Sequence, residues 1–173
     1  GAEVADGSRP RALSLSPGSL AGVGPGDRIV LPSANGSHCS SLAAATGRVV
    51  VGACLRNAAS VGAWLLDRDG PVGVIACGER CPDGSLRPAV EDLIGAGAVV
   101  AVLARTRSCS PEAGAAQVAF EAAAGDLATV LAECASGREL RAQGRDDDIA
   151  WAAASAVSDA VPVLGDDGAY RAA

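Results

Sequence analysis

Lysine and methionine are both absent from this 173-residue sequence. All fourteen basic residues are arginines. Without lysine there is no phosphate-loop lysine, no Schiff base and no lysine general base. Aromatic residues are few: Trp64, Phe120, Trp151 and Tyr170. The core must therefore be built from small aliphatic side chains with close backbone packing. Histidine occurs once, at His38. Ser-His-Asp or Cys-His chemistry would have to use it, and no triad spacing accompanies it. The six cysteines (Cys39, Cys54, Cys77, Cys81, Cys109 and Cys134) include no C-x-x-C pair, so zinc is poorly signalled. Cys54, Cys77 and Cys134 stand in apolar runs, where a free cysteine is usually a small core residue. Reduced thiols in a cytoplasmic protein are expected. No apolar run is long enough to span a bilayer. No basic leader with a cleavage site is present. The missing methionine and an opening in mid-pattern at Gly1-Ala2-Glu3-Val4 lead to the expectation of one α/β domain, residues 1–173, that is the C-terminal part of a longer chain.

Almost half the residues are apolar, glycine occurs 22 times, and the net charge is −6. With the arginines scattered, a nucleic-acid face is not expected. An anionic ligand would need a local group of arginines and helix N-termini, against the sign of the whole chain.

The most informative stretch runs from Leu31 to Ser41. Ile29-Val30-Leu31 reads as a short buried strand. Pro32, small polar residues and Asn35-Gly36 form a turn, and Ser37 to Ala45 reads as a helix. The first N–H groups of a helix lack internal partners and attract anions. Gly36 can adopt positive φ, and the serines add hydroxyl donors. This is a phosphate or carboxylate site, or an ordinary turn with a serine cap. Leu13-Ser14-Leu15 reads as a further short strand. Gly22-Val23-Gly24-Pro25-Gly26 precedes a strand rather than following one, which excludes a dinucleotide motif.

Further along, Val49-Val50-Val51 and Val72-Gly73-Val74-Ile75-Ala76 read as strands, the former buried on both faces. Asn57 to Leu66 reads as a helix. Val99 to Leu103 is either a strand or the end of a helix, with Gly95 and Gly97 favouring a break before it. Ser110-Pro111-Glu112 starts a helix. Two Ala-rich helices extend to about Ala135, and shorter ones begin at Ser136 and near Asp146-Asp147-Asp148. Ala160 to Leu164 reads as an edge strand containing Pro162. Strands alternating with helices imply an α/β layer fold, whose ligands gather at the C-terminal strand edge. There are no internal repeats.

The polar loops at that edge carry the candidate chemistry. Glu79, Asp83, Glu91 and Asp92 could supply oxygen ligands to Mg²⁺. Glu91-Asp92 is also explained by the dipole of the helix it opens. We assign Glu91 and Asp92 to the metal, and Glu79 and Asp83 to the reaction. Cys39, near a helix N-terminus, is a candidate nucleophile or a packed thiol. Arg56, Arg80 and Arg87 could hold phosphate or carboxylate through paired N–H donors. Asn35, Gly36, Ser37 and Asn57 complete the substrate-binding set. A magnesium-assisted reaction on a phosphorylated small molecule fits these residues, and so does a non-catalytic anion-binding or structural subunit.

Several ordered motifs resemble those of the 2-phosphosulfolactate phosphatase (ComB) family. They are Leu31-Pro32-Ser33-Ala34-Asn35-Gly36-Ser37, Ala53-Cys54-Leu55-Arg56-Asn57-Ala58, Ala76-Cys77-Gly78-Glu79-Arg80 and Gly84-Ser85-Leu86-Arg87-Pro88-Ala89-Val90-Glu91-Asp92-Leu93. Ser136-Gly137-Arg138-Glu139-Leu140 and Ser158-Asp159-Ala160-Val161-Pro162 continue the resemblance across nearly the whole chain. It implies a mixed β-sheet flanked by helices. It also implies a magnesium-dependent phosphatase releasing sulfolactate and phosphate, a step of coenzyme M synthesis in archaeal members. The family carries an additional N-terminal segment with its own Asp and Arg motif. The arginine-only, Ala- and Gly-rich composition points to a high-GC bacterium, where another phosphorylated hydroxy acid is the alternative substrate. The expected partner is a small anionic phosphorylated substrate, with neither nucleic acid nor membrane, and a homodimer is possible.

Overall fold

The computed structural model describes residues 2–4 and 13–173. In chain order the elements are β1 (Glu3–Val4), a 3-10 turn (Pro17–Leu20), β2 (Ile29–Val30), α1 (Gly36–Ala44), α2 (Ala58–Leu66), β3 (Glu79–Arg80) and β4 (Leu86–Arg87). There follow α3 (Val90–Leu103), α4 (Pro111–Ala123), α5 (Leu127–Glu133), α6 (Ala135–Ala142), α7 (Asp146–Ala153), β5 (Pro162–Leu164) and β6 (Tyr170–Ala172).

The core is helical. α3 carries Ile94, Gly97, Ala98, Val99, Val100 and Leu103, all buried, and packs between α2 and α4. Small residues make this possible. A Cβ placed on Gly97 would stand 1.9 Å from the carbonyl oxygen of Ala116, so the two helix backbones meet where any side chain would collide. This is the aromatic-poor packing that the composition requires. Leu127 and Leu131 of α5 and Ile149 of α7 close the same cluster.

Local chemistry sets the helix boundaries. The Ser110 hydroxyl accepts from the N–H of Ala113 at 3.3 Å, and Pro111 occupies the first turn of α4. Asp126 accepts from the N–H of Thr129 at 3.2 Å to start α5. At the end of α2 the Arg107 guanidinium donates to the carbonyls of Leu65 (2.9 Å), Gly70 (3.0 Å) and Arg68. These bonds tie the exit of α3 to the exit of α2. The Ser16 hydroxyl and the Arg145 guanidinium both reach the buried Asp148 carboxylate, anchoring the 3-10 turn to α7.

Helices and strands are both present, but the strands do not form the expected single mixed sheet. The described residues give three two-stranded pairs: β1 with β2 in parallel, and β3 with β4 and β5 with β6 antiparallel. Val51 adds an isolated antiparallel bridge to Val163. Three strand expectations are corrected. Val72–Ala76 forms no strand, because no neighbouring backbone pairs with it among the described residues. Val49 is 72% exposed, so Val49–Val51 is not buried on both faces. Leu13–Leu15 is irregular, and the N–H of Ser14 donates to the Ser19 hydroxyl at 2.9 Å instead of to a strand. The alternatives at Val99–Leu103 resolve to helix. Gly95 and Gly97 do not break it, since burying the whole face of α3 outweighs a glycine penalty of about 1 kcal/mol each. No single helix among the described residues is long and apolar enough to cross a membrane.

Candidate functional site

A basin of about 2530 Å³ opens beside the helical core. Gly36, Ser37 and Cys39 of α1, Cys77, and Glu91 and Asp92 of α3 lie along it. Its size exceeds the roughly 300–1,000 Å³ of a typical small-molecule pocket, so a small ligand would occupy only part of it.

The Asn35 side chain and α1 bring the first group of candidates to this region. The Asn35 amide oxygen accepts the backbone N–H of Arg80 at 3.0 Å. This bond crosses from the α1 turn to β3. Gly36 is the first helical residue and its φ is not positive. The conformational freedom foreseen for it is therefore unused. Gly78, with φ +71°, uses such freedom instead. It turns the chain into β3, where the Cα atoms of Glu79 and Arg87 are partners in register.

A second contact fixes that turn. The Asp92 carboxylate, in the first turn of α3, accepts the N–H of Gly78 at 2.7 Å. Burial first, and then the charges of Glu91 and Glu79, raise its pKa above the ordinary carboxylate value, against the lowering by the Gly78 bond. Two neighbouring carboxylates thus act on the half-buried Asp92.

The hairpin carries the remaining loop residues. Asp83 accepts from the N–H (2.9 Å) and hydroxyl (2.7 Å) of Ser85, which hold its pKa low. It is exposed and shapes the turn. The exposed Arg80 guanidinium donates to the Gly84 carbonyl at 3.3 Å. Arg87 makes a fork with Glu139 of α6, at 2.9 and 3.3 Å, and donates to the Ser136 hydroxyl at 3.3 Å.

Arg56 and Asn57 have other partners. Arg56 lies over the Trp151 ring, 4.7 Å from its centroid, and donates to the Trp151 carbonyl at 2.8 Å. Asn57 is only 6% exposed. Its amide accepts from the N–H of Cys54 at 2.8 Å and donates to the carbonyls of Gly52 (3.2 Å) and Ala160 (3.1 Å). The first two bonds brace the segment before α2, and the third joins it to the segment before β5.

None of the six cysteines is disulfide-bonded. Cys54 is exposed rather than in the core, and Cys77 and Cys134 are half-buried. Burial first, and then the neighbouring Cys39 thiol and the Asp92 carboxylate, push the Cys77 thiol up to about 11. Burial also raises Cys134, whose sulfur accepts the N–H of Gly137 at 3.3 Å and lies near Glu91.

Sequence reasoning did not select Cys77, Ser136 or Glu139 as site residues. All three belong to motifs that it quoted, and those motifs were the available signal. For a magnesium ion, the donor chemistry of Glu91 and Asp92 is suitable. Mg²⁺ is commonly bound by one or two carboxylates, with waters and substrate oxygens completing its shell. The residues fit a metal shared with substrate, not a protein cage. Among the described residues no three His, Cys, Asp or Glu side chains are grouped to hold an ion.

A sequence model described as 2-phosphosulpholactate phosphatase matches residues 12–167. No match to the chain was found among curated proteins.

Proposed function

We propose, since this chain belongs to the 2-phosphosulpholactate phosphatase family and so to a family of phosphoric monoester hydrolases, that it cleaves the phosphate ester of 2-phosphosulfolactate, or of a closely similar phosphorylated hydroxy acid, with the aid of Mg²⁺. One structural observation carries the reading. The 77–80 turn is bonded on one side to the N-terminal turn of α1 and on the other to Asp92. In this reading it links the segment assigned to the anionic substrate with the carboxylates assigned to the metal.

In this reading the outward-pointing N–H groups at the start of α1, with Ser37 and Arg80, receive the anionic oxygens of the substrate. Arg87, aimed by Glu139 and Ser136, offers a further contact. Glu91 and Asp92 hold the metal, which when bound neutralises phosphate charge and lowers the pKa of water. Glu79, half-buried in β3, is assigned the proton transfer as the P–O bond breaks. Asp83 keeps the hairpin in shape around it.

The test is phosphate release from 2-phosphosulfolactate with Mg²⁺ and with a chelator. Release that stops on chelation and returns with Mg²⁺ is expected. Release indifferent to the chelator would remove the metal from the mechanism. Calorimetric binding without release would support an anion-binding subunit instead. Cys39→Ser separates two nucleophiles. A loss beyond about a thousandfold, roughly 4 kcal/mol, would indicate a covalent step, and a smaller loss would favour water.

A further inference from the structure

We propose that Tyr170 is a positioning residue, whose hydroxyl latches α1 in the orientation that presents the start of that helix to an anion. The Tyr170 and Ser40 hydroxyls stand 2.7 Å apart, across 130 positions of the chain, and both residues lie on the basin. The direction of the bond follows from the protons available. A serine hydroxyl has one proton to donate, and Ser40 gives it to the Gly36 carbonyl at 2.7 Å. The Tyr170 hydroxyl is therefore the donor. The bonds run from Tyr170 through Ser40 to Gly36, the first residue of α1.

The two ends of this relay are held very differently. Tyr170 stands on a fixed frame, as the register partner of Leu164 in the β5–β6 hairpin. That hairpin is bonded in turn to the 50–52 segment. The N–H of Leu164 donates to the Val50 carbonyl and the N–H of Gly52 to the Pro162 carbonyl, both at 2.9 Å. A Cβ built on Gly52 would lie 3.5 Å from the Tyr170 ring, so the ring rests against that backbone. α1 has no such support. None of its residues is buried, and its Leu42 is 60% exposed. Among the described residues, the other bonds of its serine hydroxyls are local, each to the carbonyl four positions back. Asn35 ties the residue before α1 to Arg80, and the Tyr170–Ser40 bond ties the helix itself.

A helix held at one point would offer its N-terminus in the right direction only part of the time, and apparent affinity falls with that fraction. The second tie raises it. This rests on the reading given above, in which the start of α1 receives the anionic oxygens of the substrate. Tyr170 touches no reacting atom. Its loss therefore raises KM and spares kcat, because bound substrate itself holds the helix in place.

The experiment compares the full chain with Tyr170→Phe, which removes only the hydroxyl, with Ser40→Ala and with the double variant. Melting temperature, amide hydrogen exchange, calorimetric affinity for inorganic phosphate, and KM and kcat for 2-phosphosulfolactate with Mg²⁺ are measured on each. The expected result is an unchanged melting temperature and faster exchange confined to α1. KM and the phosphate dissociation constant should rise about three- to tenfold, the worth of one neutral hydrogen bond, with kcat unchanged. The double variant should match either single one, because all three lack the same bond. Unchanged exchange in α1 overturns the latch. Faster exchange with unchanged phosphate affinity and KM overturns the positioning role, as do effects that multiply in the double variant. A lowered melting temperature with faster exchange throughout the chain would make Tyr170 merely structural. Weakened phosphate binding in a chain that releases no phosphate leaves the latch standing and overturns the phosphatase reading. A wild-type chain without phosphate affinity overturns both.

Discussion

The Asp92 carboxylate of α3 accepts the backbone N–H of Gly78 at 2.7 Å and so ties the helix start to the turn into β3. Its burial makes the charged form costly, and the neighbouring charges of Glu91 and Glu79 add to that cost. Asp92→Asn keeps an oxygen to accept from Gly78 and removes the charge. The variant should melt at the same temperature as the wild type or higher, while phosphate release falls at least tenfold, about 1.4 kcal/mol. Thermal melts and initial rates on one preparation check both halves. A lower melting temperature with full activity would contradict the assignment.

The Arg87–Glu139 fork predicts a pH response with a defined sign. The bond from Arg87 holds the Glu139 carboxyl below the ordinary value of 4.5. A depressed folded-state pKa gives stabilisation that is present above the unfolded value and lost as pH falls through the folded one. Neutral solutions should therefore retain the tie between β4 and α6, and acidification below the ordinary carboxylate range should release it. Carbon NMR of the Glu139 carboxyl should show a depressed midpoint that moves up in Arg87→Ala. An unchanged midpoint in that variant would mean that the fork does not persist in solution.

Two glycines two residues apart in α3 should respond in opposite directions. Nothing lies within 4 Å of a Cβ built on Gly95, whereas one on Gly97 would collide with the Ala116 carbonyl. Gly95→Ala should stabilise the chain by about 0.5–1 kcal/mol. Gly97→Ala should destabilise it by about 1–3 kcal/mol or more, as overpacking does. Urea unfolding of the pair, with the wild type as reference, gives the comparison.

Asn57→Ala orphans the N–H of Cys54 and the carbonyls of Gly52 and Ala160. A loss of about 1–3 kcal/mol is expected from the unsatisfied partners, read as a shifted unfolding midpoint. If Asn57 also touches substrate, KM will rise at temperatures where the variant is fully folded. If KM is unchanged there, its role is to hold the two segments.

The helices were largely legible in the sequence because their starts are written in adjacent residues. Ser110 and Pro111 mark α4 by cap and ring, and the acidic run at Asp146 falls on the first turn of α7. The strands were less legible. Val72–Ala76 has strand composition but no partner among the described residues, and pairing is a property of two segments. Gly97, like Gly95, favours a break when judged locally because its helix penalty is visible, while its contact with Ala116 lies nineteen residues away in the chain. The site shows the same division. The residue types around Gly36, Glu79 and Glu91-Asp92 could be selected by chemistry. Glu139 meets Arg87 across 52 residues, a distance that leaves no local periodicity to read.

Val72–Ala76 also affects how this protein behaves in the tube. Ile75 is 60% exposed, and the surrounding run presents unpaired peptide groups among the described residues. Bare apolar edges of this kind recruit copies of themselves. Colloidal behaviour should therefore depend on concentration more steeply than the net charge of −6 alone implies. Light scattering should rise first in concentrated, high-salt samples, where charge repulsion is screened. A single Ile75→Lys change should delay that rise without altering the helical signal, because it places a charge on a side chain that the core does not contain.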